Sequence, residues 1–247
     1  MAIDSTERKI KTLQSIIQQI RLELKESGND AARQSGLRFF KEKIKLYGVK
    51  TAVVTQIAKT RFKDIKHLDK REIFELCDTL WTSGYLEESF IACNWAYALR
   101  KSYERTDFKI FETWVNDNVS NWASCDTLCN HTIAAFVEQF PDALKTLKRW
   151  ALSDNRWTRR ASAVTLIIPA RNGLFLNDIF EIADILLKDA DDLVQKGYGW
   201  MLKAASEAHP DDVFDYVMKN KAAMPRTALR YAIEKMSKDK RAQAMAK

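Results

Sequence analysis

The sequence is poor in residues that break helices, since only 7 glycines and 4 prolines occur among its 247 residues. Many-turned β architectures need frequent turn residues, so this scarcity argues against them and favours long helices with short connections. No apolar run reaches the length of a membrane span, and the first residues lack the apolar core of a signal peptide. We therefore expect a helical protein with no membrane partner.

Cysteine is also scarce, with Cys77, Cys93, Cys125 and Cys129 as the only examples. These residues fit the small apolar core positions of a protein from a reducing compartment better than a disulfide framework. Cys125, Cys129 and His131 lie close together, but their spacing matches no established zinc pattern and no fourth ligand is evident. We therefore predict no metal.

Basic residues are in modest surplus, with 40 Lys and Arg against 33 Asp and Glu and a formal net charge of +7. Such a surplus is compatible with a nucleic-acid partner, but many proteins without one share it. The length suffices for one large domain with a substantial buried core. Composition alone therefore leaves the partner open.

Helical periodicity begins near the N-terminus, where Asp4 and Ser5 can cap a helix over residues 4–27 that Gly28 ends. Its apolar stripe is Ile10, Leu13, Ile16, Ile17, Ile20 and Leu24. Further helices are predicted over 32–46, 51–62, 69–82, 86–102, 107–118, 122–139, 141–153, 156–169, 178–189, 193–208, 210–219 and 225–236.

The later helices form pairs that repeat along the chain. The second helix of each pair starts at steps of 33 to 36 residues, near Glu87, Trp122, Trp157, Leu193 and Arg226. First helices end near Trp81, Trp114 and Trp150. This period is typical of an all-α solenoid. We predict a single domain over residues 1–247, with an N-terminal helix in residues 1–30 and a repeat region over 35–236.

Four residues suited to chemistry occupy one face of successive second helices. Counted from the helix starts, Trp122 and Asp126 lie at offsets 0 and 4, Arg160 at offset 3 and Trp200 at offset 7. These offsets share one helix face. A carboxylate beside aromatic rings can stabilise oxocarbenium charge and position water, while an arginine can hold a phosphate. Each residue alone would also fit the core or an ordinary ion pair.

Three segments resemble, in order, motifs of the AlkD-type DNA alkylation repair family. Ser120-Asn-Trp122-Ala-Ser-Cys-Asp126 is similar to the family's Trp-x-x-x-Asp segment. Ser153-Asp-Asn-Arg-Trp157-Thr-Arg-Arg160-Ala is similar to its Ser-Asp-Asn-x-Trp-x-x-Arg-Ala segment. Gln195-Lys-Gly-Tyr-Gly-Trp200 is similar to its Gln-Lys-x-x-Gly-Trp stretch. The resemblance extends over roughly residues 35–236.

The resemblance implies a right-handed α-solenoid of HEAT-like repeats with a concave basic groove. It also implies a monofunctional DNA glycosylase that excises cationic N3- and N7-alkylated purines from duplex DNA without metal or cofactor. Asp126, Trp122 and Trp200 would form the catalytic pocket, and Arg160 would grip the DNA backbone. A bacterial, cytoplasmic monomer is expected.

Further DNA contacts are expected around this site. Basic residues that could bind phosphates cluster near it in the sequence, namely Arg156, Arg159, Lys196 and Lys203. By the resemblance, two more residues would lie near the DNA at positions where this chain departs from the family. Phe39 stands where the family often has tyrosine, and Lys50 where it often has glutamine.

Two other functions remain open from the sequence. The chain could be a non-catalytic solenoid that binds distorted or branched DNA, in which case Asp126 would carry no activity. It could also be a protein-interaction scaffold, a common use of helical repeats, with little affinity for DNA. The presence of Trp122, Asp126, Arg160 and Trp200 together favours the enzyme.

Overall fold

The computed structural model describes the backbone of residues 2–246 and the side chains of residues 14–246. Within these residues the regular elements are all helices, and the one β-type pairing is an isolated bridge between Lys45 and Tyr85. The predicted all-α solenoid class is confirmed. The chain divides into two compact units, Met1–Glu104 and Arg105–Lys247. A single domain over the whole chain stays a prediction.

The first unit is built around the apolar face of its N-terminal helix. Ile16, Ile17, Ile20 and Leu24 are buried, as the stripe predicts. The N-terminal helix begins at Ala2, so the predicted start at Asp4 and Ser5 is wrong. The side chains of these two residues, of Ile10 and of Leu13 lie outside the described residues. The helices of this unit are α1 (Ala2–Ser27), α2 (Asp30–Leu37), α3 (Thr51–Ile65), α4 (Lys70–Thr82) and α5 (Leu86–Ala98).

The helix predicted over 32–46 is wrong beyond Leu37, where α2 ends. The chain from there to Lys50 is held by contacts with the start of α5 instead. The buried Glu87 carboxylate accepts hydrogen bonds from the backbone N–H groups of Tyr47, Gly48 and Val49 at 2.9–3.2 Å. These long-range bonds use donors that a helix would otherwise pair locally, so the tertiary contact overrides the local helical pattern.

The second unit contains the helix pairs that carry the family motifs. Several predicted helices are interrupted: 107–118 and 122–139 contain π-helical turns, and 156–169 breaks after Val164. The helices are α6 (Phe108–Thr113), α7 (Trp122–Thr127), α8 (Ala134–Gln139), α9 (Leu144–Trp150), α10 (Arg156–Val164), α11 (Ile167–Arg171), α12 (Leu176–Leu186), α13 (Asp192–Ala208), α14 (Pro210–Asn220), α15 (Arg226–Ala232) and α16 (Lys238–Met245).

The predicted repeat register is confirmed, because the second helices start within one residue of their expected positions. These starts are Leu86, Trp122, Arg156, Asp192 and Arg226. The tryptophans that mark the ends of first helices, Trp81, Trp114 and Trp150, are buried in the core. None of the helices described is both long and apolar enough to cross a membrane. α16 was not predicted from the sequence.

Candidate active site

Asp126 lies on a helix whose start is fixed by its own sequence. The Asn121 side chain accepts a hydrogen bond from the Ser124 N–H at 2.9 Å and so caps α7. Trp122 begins this helix, and Asp126 follows one turn later on the same face. A π-helical turn, Leu128–Ile133, comes directly afterwards. Such turns are frequent at functional sites because they reorient side chains within a helix.

Arg160 on α10 holds the Asp126 carboxylate from the neighbouring repeat. Its Nε donates to Oδ1 at 2.9 Å and its Nη2 donates to Oδ2 at 2.8 Å. Its Nη1 donates to the Leu193 carbonyl at the start of α13. The side chains of Arg160 and Asp126 are only 6% and 15% exposed. This bidentate, largely desolvated pair therefore links three successive second helices.

The surroundings of this pair act on its two charges in opposite ways. Burial raises the pKa of the Asp126 carboxyl above its ordinary value, while the charge and hydrogen bonds of Arg160 lower it. Burial likewise disfavours the charged form of Arg160, but the contact with Asp126 leaves its pKa raised. A guanidinium this basic stays protonated, so the carboxylate has a permanent cation beside it.

Two glycines of α13 face neighbouring helices, but only one of them is required by close packing. A Cβ on Gly199 would lie 2.7 Å from the Tyr231 Cβ and 2.8 Å from the Ala228 carbonyl oxygen, so only glycine fits between α13 and α15. A Cβ on Gly197 would meet Arg160 at 3.5 Å, which is ordinary contact. Of the two glycines in the third motif, packing therefore requires only Gly199.

Both predicted pocket tryptophans are half-buried. Trp200 lies one turn after Gly197, on the face of α13 that Leu193 and Gly197 present to Arg160. Trp122 lies one turn before Asp126 on α7. The structure thus brings Asp126 and Arg160 into direct contact. Trp122 is one turn from Asp126, and Trp200 is one turn from Gly197, which lies near Arg160.

The basic residues predicted around the site are paired with acids within the protein. The bonded atoms are 2.6–3.1 Å apart in the pairs Arg156–Asp191, Arg159–Asp189, Lys196–Asp192 and Lys203–Glu234. A DNA phosphate would have to compete with these carboxylates. Sequence reasoning missed the acidic partners, although the run Asp189-Ala-Asp191-Asp192 before α13 was a visible signal.

The sequence of this chain matches the model of a family described as DNA alkylation repair enzyme over residues 20–236. The chain belongs to that family. A protein from Enterococcus faecalis described as a predicted DNA alkylation repair enzyme has the same fold, with a TM-score of 0.77 at 15% identity. The match covers 86% of this chain and 98% of that one. Among curated proteins, no sequence match is found.

Two predicted DNA contacts of this alkylation repair family member lie in the first unit. Phe39 is 72% exposed, and Lys50 is exposed at the residue that precedes α3. The Glu87 carboxylate fixes the turn just before Lys50, a role that the sequence did not predict. Contact of these residues with DNA stays a prediction.

The cysteines of the family member are free and buried, which confirms their predicted core role. Burial raises the pKa of the Cys125 thiol well above its usual value, so this thiol is a poor nucleophile. Among the residues that the structure describes, no three His, Cys, Asp or Glu side chains are grouped to hold a metal ion.

Proposed function

We propose that this DNA alkylation repair protein is a glycosylase that removes cationic N3- and N7-alkylated purines from duplex DNA. The observation that carries the proposal is the Asp126 carboxylate, which is largely buried, held by two hydrogen bonds from Arg160 and one turn from Trp122. A fixed anion beside an aromatic side chain suits a reaction in which positive charge develops on a sugar.

The substrate class follows from the chemistry available. A purine alkylated at N3 or N7 already carries a positive charge, so it can leave without being protonated by the enzyme. When the C1′–N bond breaks, its electron pair neutralises the purine and positive charge appears on the sugar. Asp126 would stabilise that charge and orient a water molecule, whose oxygen bonds to C1′ while its proton passes to the surrounding water.

Arg160 acts in this proposal as a positioning residue for Asp126. A carboxylate has about four lone-pair sites, and Arg160 occupies two of them. The others can accept a hydrogen bond from water. The family resemblance implies that Arg160 binds a DNA phosphate. That phosphate would share the guanidinium with Asp126 and the Leu193 carbonyl.

Trp122 and Trp200 would flank the sugar of the damaged nucleotide. Their rings present negative faces that attract sugar C–H groups and the positive charge of the transition state. Both side chains are only partly buried, so ring surface is available for such contacts. Their roles, like those of Asp126 and Arg160, are part of the proposal.

The test is release of free base from duplex DNA that contains N7-methylguanine or N3-methyladenine, after subtraction of the spontaneous loss without protein. A duplex with uracil serves as the neutral control. We expect release of both cationic bases, no release of uracil, and strands that break only after alkali, since no lyase step is proposed. DNA binding without release of either cationic base would replace the glycosylase by the non-catalytic DNA-binding function.

A further inference from the structure

A second candidate binding site lies in the first unit, in a cleft of about 240 Å³ between α3 and α5. It is separate from Asp126 and its partners, all of which belong to the second unit. The side chains that give the cleft its chemical character are Lys59, Phe62, Asn94, Trp95, Tyr97 and Arg100. They combine aromatic rings, an amide and two cations, with no carboxylate among the lining residues.

The cleft has a rigid base and wall. Trp95 is almost fully buried, and its Nε1 donates to the Ala58 carbonyl at 2.9 Å, which fixes the indole between the two helices. The Arg100 guanidinium lies over the Tyr97 ring, 4.4 Å from its centroid. Its Nη1 also donates to the Tyr97 carbonyl at 3.2 Å. These contacts hold the walls in place before any ligand arrives, which lowers the entropic cost of binding.

Charge distinguishes this cleft from the surroundings of Asp126. Among the described residues, neither Lys59 nor Arg100 has a carboxylate within ion-pair distance, whereas the basic residues near Asp126 are paired with acids. A cation at Arg100 is favoured by the nearby end of α5 at Ala98. That effect does not account for Lys59 or for the aromatic rings beside it.

We propose that this cleft binds one unpaired nucleotide, with the base against the half-buried rings of Phe62 and Tyr97 and the phosphate between Lys59 and Arg100. Bases stack on aromatic rings whatever their sequence, and Lys and Arg bind phosphate through charge-assisted hydrogen bonds. The cleft is smaller than the roughly 300–1,000 Å³ of pockets for drug-sized ligands, so a single base suits it. The nucleotide is either free or part of a nucleic-acid strand.

The test is a titration of the full-length protein with deoxyadenosine monophosphate, followed by the indole N–H signal of Trp95. The Trp95→Phe variant assigns that signal among the 7 tryptophans. We expect a saturable shift, and binding at least about tenfold weaker for deoxyadenosine or inorganic phosphate alone. No saturable shift, or equal binding of phosphate alone, would overturn the proposal.

Matched variants test the two cations. Lys59→Ala and Arg100→Ala should each weaken binding by about fivefold or more. Lys63→Ala, one turn further along α3, and Lys101→Ala, next to Arg100, lie outside the cleft lining and should have little effect. Equal losses in the cleft and control variants would contradict the assignment. Unchanged signals from the other tryptophans establish that each variant is folded.

The source of the nucleotide is identified by comparing the free nucleotide with duplexes that have blunt or single-stranded ends. Tighter binding of the single-stranded end assigns the cleft to a strand, and tighter binding of the monophosphate assigns it to a free nucleotide. A shift only with the blunt duplex would contradict the requirement for an unpaired base. The proposal does not rest on glycosylase activity, so a failure of base release leaves it standing.

Discussion

The contact between Asp126 and Arg160 should be one of the strongest side-chain couplings in the second unit. Asp126→Asn or Arg160→Gln leaves the opposite ion largely buried without its partner, because the two side chains are 15% and 6% exposed. Loss of one member of such a pair costs about 3–5 kcal/mol. The double variant has no unpaired ion, so we expect a coupling free energy of at least about 2 kcal/mol.

The measurement is urea unfolding of the parent, both single variants and the double variant. The slope of the unfolding free energy against urea concentration must be equal in all four proteins for the free energies to be compared. The pair Lys196–Asp192 provides the control, because it joins exposed residues one turn apart on α13. Its coupling should be only about 0.3–0.5 kcal/mol. A coupling that small between Asp126 and Arg160 would refute the claim that Arg160 fixes the carboxylate.

The remaining predictions concern pH, helix packing and salt. Burial raises the pKa of Asp126, and the proposed mechanism needs its ionised form. We therefore expect kcat/KM for base release to fall on acidification at a higher pH than for an exposed aspartate. Arg160→Gln should move this fall to still higher pH; an unmoved profile would contradict the pairing. Gly199→Ala should lower the unfolding free energy by about 1–3 kcal/mol, whereas Gly197→Ala should not lower it. Equal losses in the two variants would contradict the claim that only Gly199 is closely packed. Lys50→Ala should make the slope of the logarithm of the DNA-binding constant against the logarithm of the salt concentration less steep by about 0.9. An unchanged slope would exclude a phosphate contact at Lys50.

Sequence periodicity was sufficient to locate the second helices, because each repeat buries a similar apolar face at nearly constant spacing. The same register placed Asp126 and Arg160 on helices that do contact each other. The nature of their contact was less predictable. Which donors meet a carboxylate depends on the separation of the helices, and here the Leu193 carbonyl of α13 holds the third nitrogen of Arg160.

The sequence-based predictions were wrong where residues far apart along the chain determine the local structure. The chain after Leu37 leaves the helix because Glu87 binds the backbone of Tyr47 and Gly48, which lie about forty residues before it. The partners of the basic residues were missed for the same reason, since Asp189 and Arg159 lie thirty positions apart. Neither the period of a helix nor the turn propensity of a residue carries this information.

The most direct test of the central claim is the single-turnover rate of N7-methylguanine release by Asp126→Asn, with the protein in saturating excess over duplex DNA. Asp189→Asn is the matched control, because Asp189 also forms a largely buried ion pair with an arginine of α10. We predict a rate about 10²–10³ lower for Asp126→Asn, with Asp189→Asn close to the parent. Equal rates for Asp126→Asn and the parent, or equal losses in both variants, would contradict the catalytic role of Asp126.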